Sequence, residues 1–210
     1  TAVVLQERVR ENGGVRVGIY QGRLSSADAD WTRWVLDQYR FGYQVVSDQE
    51  LDAPGLRDRF DAIIIPDQPA LATGISAINE RDSEISSLQS FVKSGGTLVT
   101  INRASNFAIS RFDLPVRDIR ELQPKPIPVT SGAILRLEVN KSDPLCLGVS
   151  QQSVAWFEGG PVFDIIDPGR VRVLASFSRN SRLVLNGPVE GTASLRGRAA
   201  LVEVPYGEGR

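Results

Sequence analysis

Through the first half of this chain, short apolar runs alternate with stretches whose hydrophobic residues recur at helical spacing. Val15-Arg16-Val17-Gly18-Ile19-Tyr20 is compact and β-branched, the pattern of a buried strand. Asp30 is placed to cap a following helix that carries Trp31, Trp34, Val35 and Gln38 at i, i+3, i+4 and i+7, with Gly42 available to end it. Tyr43-Gln44-Val45-Val46 reads as a second strand, and Pro54 opens a short helix with Leu56 and Phe60 inward. Asp61-Ala62-Ile63-Ile64-Ile65-Pro66 is continuous in apolar residues, as a strand covered on both faces requires. After a small-residue loop over 69–81, Asp82 is expected to cap a helix with Ile85, Leu88, Phe91 and Val92 on one face, closed by Gly95-Gly96. Thr97-Leu98-Val99-Thr100-Ile101-Asn102 is the next strand. This order predicts an α/β fold with a doubly wound, mainly parallel sheet of the flavodoxin-like kind.

The texture changes after Phe112. Gln123-Pro124-Lys125-Pro126-Ile127-Pro128 cannot be helical. Beyond it, alternating segments at 133–139, 154–157, 171–177, 182–185 and 199–204 are separated by Gly, Pro and Asn-Ser turns. The expected organisation is a single domain. Residues 1–14 are a lead-in, 15–112 the parallel α/β half, and 113–210 a β-rich half whose antiparallel strands flank or extend the parallel sheet.

Composition narrows the function. A chain of 210 residues, 41% hydrophobic and 23% charged, can bury one large α/β core. The 24 Lys+Arg against 25 Asp+Glu, with no basic run, argue against a nucleic-acid or anionic-membrane surface. No stretch approaches the ~20 apolar residues of a membrane-spanning helix. Histidine is absent, which removes Ser-His-Asp, Cys-His-Glu and His-based zinc chemistry from this chain. The lone Cys146 excludes an internal disulfide and sits among apolar neighbours without a local cation, so it reads as a small buried hydrophobe. There is no Met, and the chain opens at Thr1, so it reads as a piece of a longer polypeptide, truncated at the C-terminus. Val202 to Arg210 is a strand entering a Gly-rich turn, after which a return strand is expected.

Ligands of open α/β sheets bind outside the C-terminal ends of the strands. Those ends offer Tyr20 and Gln21, then Asp67 and Gln68, then Asn102, Ser105 and Asn106, a candidate pocket for a small molecule or glycan. Against this, Asp, Asn and Ser at such positions commonly cap helices and fix turns. Ser105 lies near where a nucleophile elbow would fall, but the G-x-S-x-G pattern is missing and no base exists to activate a hydroxyl. Neither a Rossmann nor a P-loop glycine pattern occurs, and Gly95-Gly96 ends a helix rather than opening one. Trp31, Trp34, Trp156 and Phe157 are assigned to the core rather than to a sugar platform. No catalytic, cofactor-binding or metal-ligating residue is assigned.

Gly18-Ile19-Tyr20-Gln21, Trp31-Thr32-Arg33-Trp34-Val35-Leu36 and Phe60 to Gln68 occur in this order, followed by Phe91 to Val99, Ala104 to Ile109, Leu114-Pro115-Val116-Arg117 and Gly132 to Arg136. From about residue 15 onward, this series resembles the C-terminal region of large bacterial M14-family zinc carboxypeptidase-like proteins. In those, a class I glutamine-amidotransferase-like domain follows the peptidase domain. The resemblance implies an amidotransferase-like fold, a peptidase domain in cis as partner, and zinc held only by that peptidase. It also implies export to the periplasm or beyond. The family's Cys nucleophile is not carried over, because the elbow region offers Ala104 and Ser105, and its His has no counterpart. The expected role is a non-catalytic accessory domain serving packing, homo-oligomerisation or ligand presentation. A small-molecule or glycan module at the strand ends is the alternative, and a His-independent hydrolase a more distant one.

Overall fold

The structure is a computed structural model, and it describes residues 14–22, 26–67, 82–120, 132–180, 182–189 and 191–210. The expected loop over 69–81 and the Pro-rich connector at 123–128 lie outside the described residues. Two compact units emerge: the residues up to Phe112 together with Pro205–Arg210, and Asp113–Val204. No helix among the described residues is long and apolar enough to cross a membrane.

The first unit runs β1 (Val17–Tyr20), α1 (Ala27–Gln38), β2 (Gln44–Val46), α2 (Asp48–Asp52), α3 (Leu56–Arg59), β3 (Ala62–Ile65), α4 (Asp82–Lys93), β4 (Thr97–Thr100) and α5 (Ala104–Arg111). Its four strands form a wholly parallel sheet in the order β2-β1-β3-β4. α1 packs on β1, and α2 and α3 both pack on α4. Ile63 and Ile65 of β3 are fully buried, as are Ile19, Leu88 and Phe91 within a few percent. Gly18 leaves room for two side chains of the core, since a Cβ there would meet Val46 Cγ2 at 2.8 Å and the Phe60 ring at 3.2 Å. Arg210 extends the edge of β4, donating to the Gly96 carbonyl (3.2 Å) and accepting from Leu98 N–H (2.9 Å).

Local signals explain where the helices begin. Ser26, not Asp30, caps α1: its backbone is extended and its Oγ accepts from Ala29 N–H at 3.4 Å. Asp30 falls inside the first turn, where a carboxylate favours the helix dipole. Ser47 and Glu50 form a capping box on α2, an element the sequence reading passed over. The cap of α4 lies outside the described residues. Helix α5 was likewise not anticipated.

The helix face expected to be buried is not the core face. Trp31, Trp34 and Val35 are 63%, 53% and 45% exposed. The stripe that turns inward is Ala29, Thr32, Arg33 and Leu36, which has the same helical period but is offset from the tryptophans. Spacing alone marks a face without saying what covers it. Trp31 and Trp34 pack against each other edge to face, their centroids 5.6 Å apart.

The second unit holds β5 (Val116–Asp118), β6 (Ala133–Val139), β7 (Gln152–Phe157), β8 (Phe163–Ile165), β9 (Arg172–Phe177), β10 (Val184–Asn186), α6 (Thr192–Leu195) and β11 (Ala199–Glu203). Among the described residues these strands form their own seven-stranded antiparallel sheet, ordered β10-β6-β9-β11-β8-β5 with β7 on β6. The β-rich half therefore does not extend the parallel sheet. Alternation fixed which residues face inward but not which strand is the neighbour. Leu135, Phe157, Val162, Phe177, Leu183 and Leu195 form the core beneath this sheet. Phe157 is buried as expected, whereas Trp156, its neighbour on β7, is 59% exposed on the opposite face. Cys146 is buried, with its Sγ 3.5 Å from the Leu174 carbonyl.

Candidate functional site

In the order β2-β1-β3-β4, the chain reverses direction across the sheet between β1 and β3. The C-terminal ends of these strands therefore flank the switch point where open sheets bind ligands. Gln21 and Asp67 stand there, with Asn102 after β4, as the sequence predicts. Gln68 lies outside the described residues.

Most of the polar groups at this edge are spent on the fold. Tyr20 is fully buried, and its hydroxyl donates to Asp48 Oδ1 at 2.7 Å, tying β1 to the start of α2. It is not open to a ligand, which corrects its place among the candidates. Gln21 donates its backbone N–H to the Val46 carbonyl at 2.9 Å, and its Oε1 accepts from Arg33 of α1 at 2.7 Å. Asp67 is 4% exposed. Its two oxygens accept a forked contact from Arg103, at 3.1 Å from Nε and 2.9 Å from Nη2. The Asp67 carbonyl accepts in turn from the hydroxyl of Ser26. Asp67 thus links the end of β3 to the turn after β4 through its carboxylate and to the cap of α1 through its carbonyl.

That turn sets what the site can do chemically. Asn102 is held at φ 53°, in the left-handed region that a non-glycine residue enters only at some cost. Its carbonyl then accepts from Ser105 N–H at 3.0 Å as α5 begins. A strand, a left-handed residue and a helix follow in succession here, the order of elements found around a nucleophile elbow. The left-handed position is held by Asn102, while Ala104 and Ser105 lie in the first turn of α5. A carboxamide has no ionisable proton to lose and cannot become a thiolate- or alkoxide-like nucleophile. Ser105 is 8% exposed, and its hydroxyl is directed at the Thr100 carbonyl, 3.2 Å away. Asn106 is half-buried on the first turn of α5. Structure brings Asp67 into contact with Arg103, which the sequence reading did not select, and leaves Tyr20 apart. No local pattern could have revealed that pair, because the two residues are 36 positions apart.

Among the described residues, the carboxylates with clearly displaced protonation move downward: Glu50 by accepting from Ser47, Asp61 by accepting from Arg16, and Asp164 by accepting from Arg117. A general acid at neutral pH requires the opposite displacement.

No protein-family model and no curated protein matches this chain. Among solved structures, it is similar to a ThuA-like protein from Bacteroides uniformis, with a TM-score of 0.53 and 11% identity over 92% of this chain and 83% of the other. It is also similar to a glutamine amidotransferase from Thermotoga maritima, with a TM-score of 0.52 and 9% identity over 81% of this chain and 69% of the other. These likenesses concern the fold. The chain has a glutamine-amidotransferase-like α/β fold.

Proposed function

We propose that this chain is a non-catalytic accessory domain of a zinc carboxypeptidase-like polypeptide, acting through packing, self-association or ligand presentation. The observation that carries the non-catalytic reading is the turn after β4, where Asn102 holds the left-handed position and Ser105 is buried against Thr100. The peptidase parent is supported by the ordered segments from Gly18 to Arg136 that resemble the appended domain of M14-family proteins. In this reading zinc and proteolysis reside in the peptidase domain, and this chain needs no cofactor. The strand-end ligand module is weakened by two findings: Tyr20 is closed off, and the Asp67 oxygens are already taken by Arg103.

The catalytic half of this reading is tested by incubating the protein with glutamine and with short peptides, wild type beside Ser105→Ala. No turnover above buffer is expected from either. Turnover that vanishes in Ser105→Ala would overturn it. The parentage is tested by sequencing the native polypeptide upstream of Thr1. An H-x-x-E pattern with a later His supports the peptidase parent, and its absence removes it.

A further inference from the structure

The second unit carries a built polar pocket on the open face of its sheet. On β6, Ala133 and Leu135 turn into the core, so Arg136 and Glu138 stand on the opposite face. Strand β7 runs along one edge of β6, placing Val154 beside Arg136 and Gln152 beside Glu138. The other edge is shared, with β10 pairing at Ile134 and Leu135 and β9 pairing from Leu137 to Val139. Between β9 and β10 the chain leaves that edge and returns. Ser178 N–H donates to the Arg136 carbonyl (3.0 Å), and Arg136 N–H donates to the Leu183 carbonyl (2.9 Å). These bonds close the excursion at its base. A cavity of about 260 Å³ lies against it, lined by Arg136, Glu138, Gln152, Ser178, Asn180 and Arg182.

Its walls are pre-positioned. Ser178, 5% exposed, donates through Oγ to Glu138 Oε1 at 2.6 Å and accepts from Asn180 N–H at 3.1 Å. Arg179 N–H also reaches Glu138 Oε1 (3.2 Å), and Asn180 Oδ1 accepts from Arg182 N–H (3.0 Å). Such serine and asparagine contacts hold Ser178, Asn180 and Arg182 in place without regular structure. The guanidinium groups of Arg136 and Arg182 make no hydrogen bond or ion pair among the described residues. Elsewhere on this sheet Arg117 and Arg198 are paired with Asp164, and Arg172 with Asp143 and Glu203. What sets Arg136 and Arg182 apart is that both guanidinium groups line one cavity.

The charge count selects the ligand. Two guanidinium groups and one carboxylate leave the lining one charge positive. A monoanion balances that, whereas a phosphate dianion exceeds it and meets Glu138. The side-chain amide of Gln152 offers a donor and an acceptor, the combination that hydroxyl groups satisfy. The volume is below the ~300–1,000 Å³ of sites for drug-sized ligands. We propose that this pocket binds a small monocarboxylate bearing hydroxyl groups, a sugar acid or hydroxy acid, with its carboxylate held between Arg136 and Arg182. The site lies wholly within the second unit and stands independently of the accessory-domain reading.

Titrating the ¹⁵N-labelled chain with D-glucuronate, D-glucose and inorganic phosphate in parallel tests this, following the arginine Nε–H signals and the amides of residues 178–182. Saturable shifts with glucuronate are expected, with none from glucose and weaker binding of phosphate. Arg136→Gln and Arg182→Gln should each weaken glucuronate binding by roughly tenfold, the worth of one charge-assisted hydrogen bond. Arg182→Lys, which keeps the charge but loses the planar fork, should fall between. Amide spectra unchanged away from the pocket establish that the variants are folded. Absence of saturable glucuronate shifts, or shifts that survive in the Arg136→Gln/Arg182→Gln double variant, would overturn the site. Phosphate binding as tightly as glucuronate would overturn the monocarboxylate assignment.

Discussion

The parallel and antiparallel sheets of this chain treat polar side chains in opposite ways. In the parallel sheet the polar side chains gathered at the strand ends are tied into the fold: Tyr20 by Asp48, Asp67 by Arg103, and Ser26 by the Asp67 carbonyl. In the antiparallel sheet one face is core and the other open, and there Arg136 and Arg182 border a cavity. The place where this kind of fold conventionally binds ligands is thus wired as structure, and the free chemistry lies on the added sheet. Position in a fold suggests where to look. Hydrogen-bond accounting decides what is available.

The comparison breaks most easily at the two cores. Ile63 of β3 and Leu135 of β6 are both fully buried. Truncating either to alanine removes buried methyl groups and leaves a cavity, costing about 2–5 kcal/mol. Ile63→Ala is expected to speed amide hydrogen exchange at 62–65 and 97–100, and Leu135→Ala at 133–139 and 152–157. Exchange that rises equally in both sheets for either substitution would show one cooperative core and dissolve the contrast.

A smaller effect separates the ways the first unit holds its charges. Asp61 accepts from Arg16 through N–H (2.8 Å), Nε (3.1 Å) and Nη2 (2.9 Å), and also from Arg57. These bonds, those from the Arg16 side chain foremost, hold its carboxyl far below the usual carboxylate range despite partial burial. A depressed folded-state value contributes stability that is present above the unfolded value, about 3.9, and lost as pH falls through it toward the folded one. Because Arg16 and Asp61 are each about a third exposed, solvent screening limits the gain, and Asp61→Asn should cost about 1 kcal/mol at pH 7. Urea unfolding at pH 7 and at pH 3 should show the difference between wild type and variant shrinking at the lower pH. An equal difference at both would mean that Asp61 acts through packing alone.

The order of strands and helices in the first unit was legible because a strand covered on both faces leaves a continuous apolar run, as at Ile63-Ile64-Ile65. Segments such as Ala133–Val139 were legible from alternation. Their assembly into a separate sheet was not, since strand pairing is written in neighbours and not in any one strand. Strand-end positions were found, but their availability was hidden by Arg103 and Asp48, partners distant in sequence. Cys146 was read correctly from its neighbours, whereas the tryptophans were misread. Residue type favours burial on average, yet the covered stripe of α1 runs through Ala29 and Leu36.

The smallest expected effect tests that last correction. Trp31 is 63% exposed, and its ring packs on Trp34 rather than on the sheet. Replacing a core tryptophan costs ~3–5 kcal/mol. Replacing an exposed one on a helix surface changes stability by less than about 0.5 kcal/mol, apart from the loss of one aromatic pair. Trp31→Gln should therefore leave the urea midpoint nearly unchanged while shifting the fluorescence contributed by Trp34, whose ring loses its edge-to-face neighbour and gains water. A loss approaching that of Ile63→Ala would place Trp31 in a core after all. The covered stripe of α1 would then have to be redrawn through the tryptophans, and the offset between apolar spacing and buried face would disappear.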